Sequence, residues 1–423
     1  MRKPRVLVIA EAANPEWASV PLIGWSLSQA LGELTEMQLV TQVRNREAIL
    51  RAGLHEGADF TAIDSESVAR PMWKLAEMLR MGEGRGWTTV SAISTLTIYP
   101  HFERLVWRRF GGAIRAGEYD LVHRITPLSP ATPSRLATWC RRAGVPFVLG
   151  PLNGGVPWPA GFDQVRRQER EWLSYVRGAY KALPGRGRTL RDAAAIIVAS
   201  RHTESEIPAR YREKCHYIPE NAIDPARFSL HAQPGAGPLR ACFIGRMVPY
   251  KGPDMLIEAA APLLRDGRMV LDMIGDGPLL PALREQAQAL GVADAVHFHG
   301  WLAHDQVQYT AARAALFAFP SIREFGGGAV LEAMVLGLAP LIVDYAGPSE
   351  LVGEGLGYKV PLGTRAEIIA RFTETLAQLE GDRAGRAATG QRARAHVLEH
   401  FTWPAKARRI AALYAQVLDQ PTA

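Results

Sequence analysis

The chain has 423 residues, of which 48% are hydrophobic and 22% are charged, with a formal net charge of +7. This length exceeds what one hydrophobic core usually serves, so two domains are expected. The three cysteines, Cys140, Cys215 and Cys242, are widely spaced and form no metal-ligand pair. That spacing excludes a disulfide framework and a zinc site and indicates a reducing compartment.

The excess of positive over negative charge lies entirely in the first half of the chain. Residues 1–200 contain 26 Lys and Arg against 18 Asp and Glu, a net of +8, whereas residues 201–423 contain 23 against 24, a net of −1. No zinc-finger spacing or aromatic RNA-binding motif accompanies the basic residues, and the second half is faintly acidic. We therefore expect no nucleic-acid partner.

The amino-terminal segment "MRKPRVLVIAEAANPEW" has basic residues, but its apolar run is short and is followed directly by Glu11. It predicts a first β-strand, not a signal peptide. The most apolar later segment, "DAAAIIVAS", falls well short of the ~20 residues that a membrane-spanning helix needs. We expect a cytoplasmic protein.

Short apolar runs alternate with helical patterns along both halves of the chain. In the first half the runs are "RVLVIAE", "MQLVTQV", "DLVHRI", "PFVLGPL" and "AAIIVAS"; in the second they are "RACFIGR", "MVLDMIG", "AVHFHGW", "ALFAFPS" and "APLIVDY". Helical stretches such as 254–264, 279–290 and 365–379 separate them. This alternation predicts βαβ units and two doubly wound parallel sheets. The Pro- and Gly-rich segment 218–240 is expected to link them.

The stretch "REFGGGAVLEAM" places Gly326, Gly327 and Gly328 between Glu324 and Glu332, directly after a predicted strand. Glycines at a helix start let an anion or a sugar approach the unpaired backbone N–H groups. A helix that begins near Gly328 would put Glu332 one turn in, where its carboxylate can accept hydrogen bonds from a diol. The alternative is a flexible turn followed by a solvated glutamate.

Two cations lie five residues apart after another predicted strand, in "IGRMVPYKG". Arg246 and Lys251 at a strand end suit a diphosphate group. A surface loop that happens to carry two cations is the alternative.

The basic excess is densest between Arg166 and Arg191. Eight basic residues fall there, interleaved with aromatic and aliphatic residues: Arg166, Arg167, Arg170, Arg177, Lys181, Arg186, Arg188 and Arg191. Such a stretch suits an anionic lipid surface or a phosphorylated acceptor. A solvated helix face in an arginine-rich chain is the alternative.

Six motifs in order over residues 218–353 resemble the retaining nucleotide-sugar glycosyltransferases of glycosyltransferase family 4. They are "IPENAID", "GRMVPYKGPDMLIEA", "IGDGPLLPALREQAQALG", "VHFHGWL", "PSIREFGGGAVLEAMVLG" and "VDYAGPSELV". The resemblance implies an α/β protein with the GT-B fold, in which two facing Rossmann-like doubly wound domains leave an interdomain cleft. The implied domains are residues 1–225 and 226–400, with a final helix at 401–420 crossing back to the first.

The same resemblance implies roles for the carboxy-terminal residues. Positions matching Arg246 and Lys251 bind the donor diphosphate, those matching Glu324 and Glu332 bind the sugar and the ribose, and the three glycines clear room for both. In the family, main-chain atoms near the positions of Trp301 and Leu302 contact the base. Main-chain atoms carry no side-chain code, so the sequence does not identify the base of the donor. It does not identify the sugar either. The donor is a substrate, and no cofactor is expected.

The amino-terminal half matches more loosely and implies the acceptor side. Gly24 alone represents the family's glycine-rich first loop, and "GPLNGGVPWP" supplies Asn153, Gly154 and Gly155 at a second loop. The family often carries His-x-His before a proline, and here His123 matches the first histidine while Ile125 replaces the second. His123 is therefore either a catalytic or sugar-binding group, or a strand-end histidine with a structural hydrogen bond.

No Asp-x-Asp triplet occurs in the chain, so we expect no divalent metal, with Arg246, Lys251 and a helix dipole neutralising the leaving diphosphate. The implied acceptor is a glycan or a lipid-linked sugar, met by peripheral association with an anionic membrane. A soluble natural-product acceptor is the runner-up. Three other classes stay open: a nucleotide-sugar epimerase, a dinucleotide oxidoreductase, which lacks Gly-x-Gly-x-x-Gly after the first strand, and a non-catalytic binding subunit.

Overall fold

The computed structural model describes residues 2–71, 97–168, 185–303 and 305–419. These residues form two compact units. The N unit consists of the described residues within Met1–Gly154, Arg170–Glu220 and Trp403–Ala423. The C unit consists of those within Gly155–Glu169 and Asn221–Thr402.

The N unit is built on a seven-stranded sheet whose paired strands are all parallel. Its spatial order is β3-β2-β1-β4-β5-β6-β7. The strands are β1 (Arg5–Ala10), β2 (Glu36–Gln42), β3 (Phe60–Ile63), β4 (Leu121–Thr126), β5 (Phe147–Leu152), β6 (Ala195–Val198) and β7 (Cys215–Tyr217). The central strands β4, β5 and β6 are buried along their whole length because helices cover both faces of the sheet.

The C unit repeats this plan with six parallel strands in the order β10-β9-β8-β11-β12-β13. They are β8 (Leu239–Ile244), β9 (Met269–Ile274), β10 (Val296–Gly300), β11 (Leu316–Phe319), β12 (Ala339–Asp344) and β13 (Tyr358–Pro361). Both orders reverse once, between β1 and β4 and between β8 and β11. Open parallel sheets bind ligands at the carboxyl ends of the strands at such a reversal, or switch point.

Fifteen α-helices connect these strands within the described residues. Those in the first 220 residues are α1 (Val20–Gly32), α2 (Arg46–Arg51), α3 (Tyr99–Arg115), α4 (Arg135–Arg142), α5 (Asp163–Gln168), α6 (Arg186–Asp192) and α7 (Arg201–Ser205). The others are α8 (Pro253–Arg265), α9 (Leu280–Ala289), α10 (Val307–Ala311), α11 (Gly328–Leu336), α12 (Ala346–Leu351), α13 (Arg365–Gly381), α14 (Arg383–His400) and α15 (Trp403–Asp419).

Local sequence sets several helix boundaries. Helix α13 begins at a capping box, in which the Thr364 hydroxyl accepts from the Glu367 backbone and the Glu367 carboxylate accepts from the Thr364 backbone. Helix α8 begins with Pro253 after the left-handed Gly252. These signals agree with the predicted helix positions, and α8, α9 and α13 match the three predicted stretches within two residues.

The last helix, α15, belongs to the N unit. It packs along α1, and its buried residues Ile410, Leu413 and Tyr414 join the core on that face of the first sheet. The C unit has one large core, to which the buried Phe162, from the segment 155–168, contributes. This segment lies within the range predicted for the first domain, but it packs in the C unit.

All ten predicted strands are present, and the prediction of two doubly wound parallel sheets is confirmed. Three strands were not predicted: β3, β7 and β13. Each is short and lies at the edge of its sheet. Between the two sheets, residues 218–238 contain no helix or strand apart from one isolated bridge at Ile223. Within the described ranges, none of the helices has the length and apolar character needed to cross a bilayer.

Candidate functional site

The candidate site lies at the switch point of the C unit, where the loops after β8 and β11 come together. The loop after β8 carries Arg246 and Lys251, and the loop after β11 carries Glu324. The Lys251 ammonium donates a hydrogen bond of 2.7 Å to a Glu324 carboxylate oxygen. Two residues separated by 73 positions are thus joined across the reversal in strand order.

The Lys251–Glu324 pair is shielded but still reached by solvent, since 15% and 19% of the two side chains are exposed. The ammonium also lies 5.3 Å from the centre of the Phe319 ring. Burial opposes the charge of Lys251, but the charge and the hydrogen bond of Glu324 outweigh it and raise its pKa, with Glu332 adding to the effect. Lys251 is therefore held as a cation beside two carboxylates.

The glycine stretch forms the start of helix α11, as predicted. Gly327 adopts the left-handed conformation with φ of 59°, and a Cβ there would approach Leu351 to 2.6 Å. No side chain in the described part of the chain caps the helix, and its first turn has no acidic residue. Gly328 opens the helix with Asn221 as its nearest neighbour, 3.8 Å from where a Cβ would stand, and Gly326 is partly exposed on the loop. Among the described residues, no side chain therefore accepts from the first-turn N–H groups.

Glu332 is partly buried on α11, one turn from Gly328, as the sequence predicted. The other predicted donor residues surround this centre on separate loops. Arg246 is exposed and makes no side-chain hydrogen bond among the described residues. Trp301 is 75% exposed in the loop after β10, and Leu302 packs against the core.

Residues 155–168 contact this site, although the sequence did not connect them with the donor residues. We call this segment the brace. Residues 155–168 run along the C unit, and the buried Arg323, next to Glu324, donates from Nε to the Val156 carbonyl at 3.3 Å. The Arg323 guanidinium lies 4.7 Å from the Trp158 ring centre and 5.0 Å from that of Phe325. It therefore contacts two aromatic rings at the base of the Glu324 loop.

The brace also contacts the Lys251 loop and the loop after β12. Trp158 packs edge-on against Tyr250, with ring centres 6.2 Å apart. The Tyr250 carbonyl in turn accepts from the Ile322 backbone at 2.9 Å. From the loop after β12, Tyr345 donates its hydroxyl to the Pro157 carbonyl at 3.0 Å. One short segment thereby fixes three loops at the same sheet edge.

The switch point of the N unit is arranged differently. The Thr126 hydroxyl bonds both the Ala12 N–H, at 3.0 Å, and the Ala12 carbonyl, at 3.1 Å, so the loops after β1 and β4 are tied directly together. Gly24 on α1 packs against the same loop, where a Cβ would come within 2.1 Å of the Ala12 carbonyl oxygen. The requirement for glycine at position 24 is explained by this close approach.

His123 lies on β4 with its ring fully buried. Nδ1 is 2.5 Å from the Tyr414 hydroxyl on α15, and Nε2 is 2.7 Å from the Gly150 carbonyl. Burial lowers the pKa of His123 from 6.5 to about 4, with the charge of Arg124 adding to the effect. The ring is neutral and both nitrogens are engaged within the N unit. This geometry matches the structural alternative, and a catalytic role for His123 stays a prediction.

The second predicted acceptor loop begins at the end of β5. Asn153 donates its side-chain amide to Glu220 at 2.5 Å, and the Gly154 N–H donates to the Thr203 hydroxyl at 3.0 Å. Gly155, with φ of 71°, is where the chain enters the C unit. These contacts hold the loop in place, and the acceptor roles of these residues stay predictions.

Glu11 was not predicted as a site residue. It follows β1 at the N-unit switch point and is partly exposed, and its carboxylate makes no hydrogen bond among the described residues. Burial raises its pKa, Arg44 opposes that shift and Glu66 adds to it. The only signal in the sequence was an acid directly after a buried strand, which occurs too often to select one residue.

The basic stretch 166–191 falls on both units. Arg166 and Arg167 are on α5 in the C unit, whereas Arg186, Arg188 and Arg191 are on α6 in the N unit. Arg170, Arg177 and Lys181 lie outside the described residues. The described members therefore do not form a single helix face.

No group of three or more His, Cys, Asp or Glu side chains within the described ranges is arranged to hold a metal ion. Independence from metals stays a prediction.

Comparisons with known proteins agree with this fold. Residues 231–396, all in the C unit, match the family model "Glycosyl transferases group 1". The GDP-mannose-dependent alpha-(1-6)-phosphatidylinositol monomannoside mannosyltransferase of Mycolicibacterium smegmatis is 28% identical over 82% of this chain and 89% of its own length. The D-inositol 3-phosphate glycosyltransferase of Nocardia farcinica is 34% identical over 46% of this chain and 43% of its own length.

Among solved structures, HepE of Anabaena in complex with UDP has a TM-score of 0.61 at 18% identity and covers 97% of this chain and 100% of its own. At that identity the likeness concerns the fold, which is the GT-B fold with two Rossmann-like domains. The comparisons together support a glycosyltransferase of group 1.

Proposed function

We propose that this protein is a retaining, metal-independent glycosyltransferase that moves a sugar from a nucleotide-diphosphate sugar to a hydroxyl group. The observation that carries the proposal is the Lys251–Glu324 pair at the C-unit switch point, beside the uncapped glycine-rich start of α11. The group 1 match and the curated glycosyltransferase relatives support it.

The site residues suit the charge changes of this reaction. Lys251, the exposed Arg246 and the first-turn N–H groups of α11 offer positive charge to a leaving diphosphate. Glu324 and Glu332 offer carboxylate oxygens to sugar and ribose hydroxyls. Lys251 changes partner in this scheme, because a bound phosphate competes with Glu324 for its ammonium and frees that carboxylate for the sugar.

Retention follows from transfer on one face of the sugar. The bond between the anomeric carbon and the leaving phosphate oxygen breaks, and that oxygen accepts the proton of the acceptor hydroxyl. The acceptor oxygen then bonds to the anomeric carbon on the face that the phosphate has left. No enzyme nucleophile is needed, and rate enhancement comes from positioning and electrostatics.

The donor is tested by binding, without any need for the acceptor. The comparisons name GDP-mannose for one relative and UDP for one structural neighbour, so the panel contains UDP-, GDP-, ADP- and dTDP-sugars. A ligand at 100 times its dissociation constant stabilises the protein by about 2.7 kcal/mol, which a thermal-shift assay detects. We expect one nucleotide class to raise the melting temperature. No shift with any nucleotide would contradict the donor site.

For the acceptor, we propose a glycan or a lipid-linked sugar, in cell-surface glycan synthesis at the cytoplasmic face of the membrane. The relative from Mycolicibacterium smegmatis is named for a phosphatidylinositol-linked acceptor, and the excess positive charge of residues 1–200 favours an anionic surface. Flotation with anionic vesicles tests this, comparing the wild type with a variant in which Arg166, Arg167, Arg170 and Arg177 are all Gln. If the wild type does not bind anionic vesicles at low salt and the variant keeps its activity, the result favours a soluble acceptor instead.

Within the N unit, Glu11 is our candidate for an acceptor-side group, because it directly follows β1 at the switch point and burial raises the pKa of its carboxyl group. Glu11→Gln is expected to lower kcat about tenfold while donor affinity stays unchanged, with the exposed Glu118→Gln as the matched control. An unchanged kcat would remove Glu11 from the site. Donor binding without any turnover on a panel of acceptors would favour the non-catalytic binding subunit.

A further inference from the structure

An open pocket at the surface of the N unit, here called the cavity, is lined mostly by arginine. It lies in the N unit between helices α4 and α6 and has a volume of about 320 Å³. At about 30 Å³ per liquid water, this space holds roughly ten waters or a hydrated phosphate group. Its lining residues are Thr138, Arg141, Arg142, Arg188, Arg191 and Asp192.

The cavity lies at the amino-terminal edge of the first sheet. Helix α4 ends before β5 and α6 ends before β6, and the cavity is lined by the last residues of both helices. In parallel sheets the substrate-binding loops follow the carboxyl ends of the strands, at the opposite edge. A ligand in this cavity would therefore be separate from the N-unit switch point.

The single acid in the lining neutralises only part of the charge. The Asp192 carboxylate accepts from Thr138 at 2.6 Å, from Arg191 at 2.8 Å and from Arg141 at 3.0 Å. Burial opposes the charge of Asp192, but these three donors lower its pKa to about 2, so it is a fully formed anion. Four arginines and one aspartate leave three positive charges around the cavity.

Two of those arginines are available for a ligand. Arg142 and Arg188 are exposed side chains that form no ion pair with any residue in the described part of the chain. Their removal would leave the buried Asp192 with all three of its donors. This separation allows the charge of the cavity to be lowered without disturbing the fold.

Lys214 adds a further positive charge beside the cavity. Its ammonium donates to the carbonyls of Arg191 and Ala193, at 2.9 and 3.0 Å. Burial lowers the pKa of Lys214 and the charge of Arg141 lowers it further, whereas Glu213, Tyr211 and Asp192 oppose the shift. The like charges of Arg141 and Lys214 lie close together, so an anion bound beside both would be attracted by both.

We propose that this cavity binds a phosphate group, either a phosphomonoester or a diphosphate. Guanidinium groups bind phosphate oxygens through two parallel N–H donors, and Arg142 and Arg188 present two such groups to one space that Arg141 and Arg191 already make positive. The site does not depend on glycosyl transfer. The phosphate comes either from a free metabolite or from the headgroup of an anionic lipid.

Calorimetric titration of the full chain with inorganic pyrophosphate tests the site. Because the donor loops also attract diphosphate, the titration is carried out in a Lys251→Ala background. Adding Arg142→Gln and Arg188→Gln is expected to weaken the remaining binding about tenfold or more. The matched control adds Arg108→Gln and Arg109→Gln, two exposed arginines on α3, and is expected to bind as the parent does.

Vesicle flotation separates the two sources. If the phosphate is carried by a lipid, vesicles containing phosphatidic acid bind the parent protein but not the Arg142→Gln/Arg188→Gln variant. Phosphatidylcholine vesicles then bind neither protein. If it is free, pyrophosphate binding depends on the two arginines and flotation does not. The proposal is wrong if the α3 control changes pyrophosphate binding and flotation as much as the cavity variant does. It is also wrong if the cavity variant changes neither measurement. Failure here leaves the donor site untouched, because Lys251 and Glu324 belong to the other unit.

Discussion

The two units have the same strand order but use their switch points in opposite ways. In the C unit, the loops after β8 and β11 meet through the charged side chains of Lys251 and Glu324. In the N unit, the loops after β1 and β4 meet through the Thr126 hydroxyl and the Ala12 backbone, which are uncharged. Topology therefore fixes where a ligand can bind, and the side chains at the reversal decide which chemistry is possible.

The helices next to the two switch points, α11 in the C unit and α1 in the N unit, also differ. In the C unit the helix after the switch point begins at Gly328 with no side-chain cap, whereas in the N unit Gly24 is pressed against the Ala12 carbonyl. Gly328 has open space around it, with no atom closer than 3.8 Å to where a Cβ would stand, whereas Gly24 is required by close packing. His123, which the family resemblance placed near the chemistry, contributes to packing as well, through Tyr414 and Gly150.

The largest expected effect is loss of the C-unit cation. Lys251→Ala should lower kcat/KM about 10³-fold, because it removes positive charge from the leaving diphosphate at a shielded position. Steady-state kinetics with the donor identified by the binding panel measures it. The control is Lys359→Ala in the same unit, where the ammonium contacts Asp344 and Ser349 and should not affect turnover. Equal rates for Lys251→Ala and the wild type would contradict the donor site.

His123 is expected to affect stability and its pH dependence more than donor binding. Between pH 6.5 and 4 the unfolded chain protonates this histidine while the folded chain keeps it neutral, so the unfolded state binds more protons. The free energy of unfolding therefore falls as pH falls through this window, by about 3 kcal/mol at 1.36 kcal/mol per pKa unit. Above pH 6.5 the ring is neutral in both the folded and the unfolded chain, so the free energy of unfolding no longer depends on protonation of His123.

Urea unfolding at several pH values measures that slope. His123→Gln should be less stable at pH 7 but should lose less stability on acidification, whereas the exposed His55→Gln should behave as the wild type does. Unchanged donor affinity in His123→Gln would agree with a structural role. A variant with normal stability, normal donor affinity and no turnover would instead make His123 catalytic.

The brace offers a smaller test of how the C-unit site is positioned. Trp158→Ala removes one ring from the Arg323 guanidinium and should weaken donor binding about tenfold, since an aromatic contact with a shielded cation contributes about 1–2 kcal/mol. Trp158→Phe keeps a ring and should restore most of the affinity. If both variants bind the donor equally weakly, the ring is not what positions the Glu324 loop.

Metal removal is expected to have almost no effect. With Arg246, Lys251 and the start of α11 supplying the positive charge, activity should survive EDTA. The assay is turnover with and without chelator, followed by addition of Mg²⁺ or Mn²⁺. Complete loss that either ion restores would show that charge neutralisation was assigned to the wrong groups.

Most of the fold was predictable because buried parallel strands are continuous apolar runs, and their alternation with helices allows few topologies. The unpredicted strands β3, β7 and β13 are short edge strands. Each pairs on one side only, so their local sequences carry little apolar signal. In the C unit, strand ends, glycines and charges recur close together along the chain, which is why the motifs around Lys251 and Glu324 could be identified.

The sequence by itself determined the two parallel sheets, the glycine-rich helix start at Gly328 and the charged residues that follow β8 and β11, because each depends on residues close together in the chain. Tertiary structure decided which partners they meet. Three contacts join residues that are 73 to 291 positions apart in the chain: Lys251 with Glu324, Arg323 with Trp158, and His123 with Tyr414. Contacts over such separations are set by the packing of whole elements, and no local pattern encodes them.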